Sequence, residues 1–110
     1  MTGNYVTPGR VEVHLHAALT ESGLVLEGQD LGDLVKQLFG DSDYEYWVTV
    51  GWQDVARVEG LLTSELGVEK GRPVLEMMRM AWESGMFQTD VDFRKWLETH
   101  EISSEFASYA

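Results

Sequence analysis

The feature that most constrains this chain is a change of period at Gly51. Before it, Tyr44, Tyr46, Val48 and Val50 fall on one side of an alternating run and Glu45, Trp47 and Thr49 on the other, the twofold repeat of a strand. After it, Val55, Val58, Leu62 and Leu66 recur at helical spacing, and Gly67 stands where a helix end accepts a left-handed residue. The chain therefore combines a sheet with helices. Both faces of the Tyr44 to Val50 strand are bulky, which suits a central strand covered by helices on one side and by a partner or ligand on the other.

The remaining segments extend this pattern. Val11, Val13, Leu15 and Ala17 alternate with Glu12, His14, His16 and Ala18, predicting a half-buried strand. Leu24 to Glu27 predicts a second, paired back through a tight turn at Gly23. Asp30 is placed as the N-cap of a helix carrying Leu31, Leu34, Val35 and Leu38, closed by Gly40, with Asp41-Ser42-Asp43 as a loop. Pro73 opens a helix with Val74, Met77, Met78, Ala81 and Trp82 on its inner stripe, ended by Gly85. Thr89 and Asp92 have capping-box spacing ahead of a last helix that turns Phe93, Trp96 and Leu97 inward. The tail, Ile102 to Tyr109, returns as an edge strand. The expected order is β-β-α-β-α-α-α-β: a polar lead over 1–9, then a single α+β domain over 10–110 with a small antiparallel or mixed sheet packed by helices.

Composition narrows the classes of function. The 110 residues carry 19 acidic and 8 basic side chains, a formal net charge of -11, with 44% hydrophobic content and four each of Phe, Trp and Tyr. Such a chain buries a core of its own, so the acidic excess does not imply disorder. The absence of cysteine excludes disulfide scaffolds, zinc ribbons and thiol nucleophiles. No apolar run reaches the roughly 18 residues of a membrane span, and Met1 to Pro8 has neither the basic nor the apolar region of a leader. A cytoplasmic protein is expected. Basic residues are dispersed from Arg10 to Lys95 without a stripe, and the Arg94-Lys95 pair reads as an exposed helix face, so direct nucleic-acid binding is disfavoured.

Motifs for chemistry are sparse. No serine lies in a G-x-S-x-G setting, and Gly67, Lys70 and Gly71 do not form a phosphate loop. His14 and His16 share one strand face at a spacing that would let two imidazoles meet one metal ion, with His100, Glu12 or a neighbouring acid as a third ligand. Exposed or hydrogen-bonded strand histidines account for the same pattern. Asp41, Asp43 and Glu45 have the D-x-D-x-E spacing of a hard-cation loop. Yet Tyr46 and Trp52 stand where an EF-hand needs its glycine and its bidentate glutamate. No cofactor is expected.

The most distinctive feature is an acid-rimmed aromatic block: Tyr44, Tyr46, Trp47 and Trp52 flanked by Asp41, Asp43, Glu45 and Asp54. Tyr and Trp anchor many interfaces, and surrounding carboxylates complement a basic partner. The same residues also fit a second role, in which Tyr46 and Val48 fill the core while Tyr44 and Trp47 cover helix ends. The candidate binding set is Asp41, Asp43, Tyr44, Glu45, Trp47, Trp52 and Asp54.

The stretch Gly40 to Val50, with its Asp43-Tyr44-Glu45-Tyr46-Trp47 core, and the later Phe93, Trp96-Leu97-Glu98, His100, Ile102 and Glu105-Phe106 resemble small acidic, largely uncharacterised proteins of actinobacteria. In composition the chain is also similar to bacterial immunity proteins and to phage-encoded inhibitors such as anti-CRISPRs. The expectation is an acidic, non-enzymatic binding protein that inhibits a basic partner: a nuclease, a toxin or a nucleic-acid-binding effector. Two alternatives are a small metal-assisted enzyme built on His14 and His16, and a homodimer that buries the Tyr44 to Trp52 face or the tail strand.

Overall fold

The computed structural model describes residues 2–6, 12–31 and 43–109, with side-chain surroundings for 15–29 and 45–108. In chain order these form β1 (Thr2–Val6), β2 (Glu12–Thr20), β3 (Gly23–Leu31), β4 (Asp43–Val50), α1 (Trp52–Leu66), α2 (Val74–Glu83), α3 (Asp90–Thr99) and β5 (Glu105–Tyr109). The strands make one antiparallel sheet in the order β1-β2-β3-β4-β5. The α+β class, the antiparallel sheet and the returning tail strand agree with the sequence pattern. An additional strand, β1, comes from the polar lead and pairs along β2 from Thr2 opposite His16 to Val6 opposite Glu12.

A second difference lies at the end of β3. This strand continues through Gly28, Gln29 and Asp30 to Leu31 instead of stopping at Glu27. Asp30 and Leu31, expected as the N-cap and first apolar position of a helix, pair with Tyr44 and Asp43 of β4. The rest of that expected helix, with Leu34, Val35, Leu38 and Gly40, lies outside the described residues, as do Asp41 and Ser42. Asp43, placed in a loop by the sequence pattern, is the first residue of β4.

Pairing explains why Gly28 does not break β3. It sits opposite Tyr46, and a Cβ at Gly28 would collide with the Tyr46 ring, so the bare glycine backbone is the floor on which that ring lies. Gly23 starts the strand at φ 128°, a conformation that suits the missing side chain, with the Val50 carbonyl oxygen packed against the position a Cβ would take.

Alternation then sorts the sheet into two faces. Leu15, Ala17, Leu24, Leu26, Tyr46, Val48 and Val50 are buried on one of them. The three described helices cover that face: Val55, Val58 and Leu62 from α1, Val74, Met77, Met78, Ala81 and Trp82 from α2, and Phe93 and Leu97 from α3 join the same core. Trp96 packs against the core while staying partly exposed. Among the described residues no charged or polar side chain is buried. Apolar burial is the dominant favourable contribution to such a core, and nothing in this one sets an ion against it.

Helix ends follow the sequence signals. Gly67 closes α1 in the left-handed conformation at φ 65°, and its backbone N–H donates to the Ser64 carbonyl. Pro73 takes the N-cap position of α2, one residue ahead of the first turn. At α3 the Asp92 N–H donates to Thr89 Oγ1 at 3.4 Å and the Thr89 N–H donates to Asp92 Oδ2 at 3.3 Å, a reciprocal box. Arg57 of α1 donates to the His100 and Glu101 carbonyls, so a guanidinium completes the C-terminal end of α3 and ties the two helices together.

Candidate interaction surface

The side of the sheet turned away from the helices carries the candidate surface. The register sets its rows. His16 lies opposite Glu27, Glu27 opposite Trp47, and Trp47 opposite Ala107. One row along, Gln29 lies opposite Glu45 and Glu45 opposite Tyr109. On the other side of Trp47, Val25 lies opposite Thr49 and Thr49 opposite Glu105. Trp47 thus has Glu27 directly across from it, Glu45 two residues along its own strand and Glu105 diagonally across, with no described helix above it. Glu27 and Glu105 are exposed, and Glu45, Trp47 and Thr49 are half-buried.

The aromatic block of the sequence thus divides by parity. Tyr46 turns into the core at 2% exposure and stacks on Phe106 with ring centroids 6.4 Å apart, while Trp47 and Glu45 face outward. Tyr44 and Asp43 continue β4, pairing with Asp30 and Leu31 of β3. Trp52 begins α1, is half exposed, and spends its indole N–H on the β2–β3 turn, donating to Thr20 O at 2.9 Å and Glu21 O at 3.2 Å. Its ring latches the first helix to the hairpin. Asp54 occupies the first turn of α1 and is partly buried. Asp41 lies outside the described residues. Glu45 and Trp47 are therefore brought onto one surface, whereas Trp52 and Asp54 stand at its end on the helix.

Sequence reasoning missed Glu27 and Glu105, which flank Trp47 from the neighbouring strands. The available signal was the alternation of β3 and β5, which puts Glu27 out of phase with buried Leu24 and Leu26. Cross-strand register is what makes them neighbours: β3 pairs Glu27 with Trp47, and β5 pairs Glu105 with Thr49, one row along.

His100 stands apart from the two histidines of β2. His16 is exposed on the outward face beside Glu27, His14 lies one row away opposite Gln29, and His100 is on the helix side. His100 Nε2 lies 3.7 Å from Glu65 Oε2, which also accepts the Trp96 indole N–H at 2.7 Å. His100 is thus part of the packing of α3 on α1. Among the described residues no three His, Asp or Glu side chains converge as ligands for one metal ion. No helix among them is long and apolar enough to cross a membrane.

Among the described residues one carboxylate departs from its ordinary behaviour. Burial raises the Asp90 pKa above its usual value of 3.8, with Arg94, whose Nη1 is 3.9 Å away, and backbone N–H groups pulling the other way. Asp90 opens α3 on the helix side, so this shift belongs to the packing of α3 and not to the outward face. Comparison with protein-family models, curated proteins and solved structures finds no match.

Proposed function

We propose that this protein is a non-enzymatic inhibitor that docks the sheet face left open by its described helices on a basic, nucleic-acid-handling partner, in the manner of an immunity protein or a phage anti-defence protein. The observation that carries the reading is Trp47 set on an antiparallel sheet with Glu27 opposite it, Glu45 two residues along and Glu105 diagonally across. A preordered aromatic ring loses little conformational freedom on binding and fills a pocket, while the carboxylates around it pair with the Lys and Arg side chains that a nuclease or effector presents to phosphates. The net charge of -11 acts earlier, steering encounter with a cationic surface.

The test is parallel affinity capture from host lysate with the wild type and a Glu27→Lys/Glu45→Lys variant, followed by reconstitution with the captured protein. The expected result is a basic protein held by the wild type and lost by the variant, whose affinity falls as salt rises and whose nucleic-acid activity stops when the wild type is added. A captured protein that binds both forms equally, or binds more tightly at high salt, overturns the reading.

A further inference from the structure

Strand β5 ends the sheet order, and among the described residues nothing pairs with its outer edge. An open edge presents unpaired N–H and C=O groups, which proteins blunt with lysine, proline, a bulge or a covering segment. Glu105 to Tyr109 contains no lysine and no proline, and pairs with β4 residue for residue without a bulge. Beside this edge, on the helix side, a groove runs between α3 and β5, lined by Val91, Ile102 and Phe106 together with Arg94, Lys95 and Glu98. Val91 is 44% and Phe106 41% exposed, two of the four large apolar side chains that the described residues leave open. The Arg94 guanidinium lies 3.9 Å over the Phe106 ring and holds one wall of the groove in place.

The two sides of this edge differ in charge. On the outward face Glu105 stands beside Thr49, with Glu45 and Glu27 on the rows and strands beyond, so the sign is uniformly negative. In and around the groove Asp90 and Glu98 balance Arg94 and Lys95, leaving an apolar floor with no net charge.

We infer that the basic partner of the proposed function adds a strand to β5: an extended segment pairs along Glu105 to Tyr109, with apolar side chains in the groove over Phe106 and Val91 and basic side chains on the outward side beside Glu105. The inference rests on the proposed reading and specifies the partner's element. Successive side chains of an added strand point to opposite faces, so only a segment that alternates apolar and basic residues matches both sides at once. Main-chain hydrogen bonds hold the strand, and the groove and carboxylates select its pattern.

The test uses the wild-type chain and three capped synthetic octapeptides, with amide chemical shifts and hydrogen exchange as readouts. One peptide alternates lysine and valine, one has the same composition in two blocks, and one alternates but carries N-methyl groups on its valines. The alternating peptide is expected to shift and protect the amides of Glu105 to Tyr109 and to shift Val91. Loss of the cross-strand pairs weakens the block isomer by about tenfold, and the N-methylated peptide loses the protection. Equal binding by the block isomer overturns the inference in favour of charge attraction alone. Shifts confined to Glu27, Glu45 and Trp47 overturn it while leaving the open-face reading standing. Protection of the β5 amides that rises with protein concentration in the absence of peptide overturns it in favour of a second copy of this chain at the edge.

Discussion

Among the described residues Glu101 is the one non-glycine with a left-handed backbone, at φ 57°. It follows the last turn of α3, where its N–H donates to the Glu98 carbonyl and the next N–H, of buried Ile102, donates to the Leu97 carbonyl. An L-residue is strained there, and its side chain is exposed, so Glu101→Gly is expected to stabilise the fold by roughly 0.5–1 kcal/mol. Chemical denaturation checks this, and a loss of stability would mean that the Glu101 side chain has a role its exposure does not suggest. Asp90 makes a prediction in pH. Its folded pKa is raised, chiefly by burial, so the stability it contributes is fully present below pH 3.8 and is lost as pH climbs through the folded value. Asp90→Asn, which cannot ionise, should compare more favourably with the wild type at pH 7 than at pH 3. Melting curves at the two pH values decide it, and a difference of the opposite sign contradicts the burial of this carboxylate.

At the scale of elements, Gly28 shows how pairing overrides local preference. Gly28→Ala forces a methyl group into the Tyr46 ring and should cost about 1–3 kcal/mol, measured by denaturation, whereas an unchanged midpoint would place the ring elsewhere. The same residue explains part of what the sequence hid. Read locally, Gly28-Gln29-Asp30 is a strand end followed by a helix cap; only the Tyr46 ring, on the next strand, makes the glycine a fitting strand residue. β1 was hidden for a similar reason, because Thr2, Gly3 and Asn4 show no apolar alternation and are ordered by β2. The helices were open to reading because their information is local. The stripe of Val74, Met77, Met78, Ala81 and Trp82, the Thr89–Asp92 box and the Gly67 cap each lie within a turn or two of chain. The candidate surface was half readable. Parity assigned Trp47 and Glu45 to one side of β4 and Tyr46 to the other, but Trp52's bonds to Thr20 and Glu21 span 32 and 31 residues, beyond any local pattern.

For the whole molecule, the division of labour follows from layering. The three described helices and one sheet face supply a core in which no described charged side chain is buried, and no described helix covers the other sheet face. Exposed carboxylates on it contribute little to stability, so they can serve binding at small cost to the fold. Salt separates the possible associations: binding to a cationic partner weakens as screening rises, while pairing of two chains of charge -11 strengthens. The most direct test compares two tryptophans, Trp47 on the outward face and Trp96 against Phe87, Phe93 and His100 on the helix side. Melting temperature and affinity for the captured basic partner are measured for Trp47→Ala and Trp96→Ala. Trp96→Ala should lose roughly 3 kcal/mol of stability. Trp47→Ala should melt close to the wild type yet bind about thirtyfold more weakly, mainly through faster dissociation. If Trp47→Ala binds like the wild type, or unfolds as readily as Trp96→Ala, the outward face is not the binding surface.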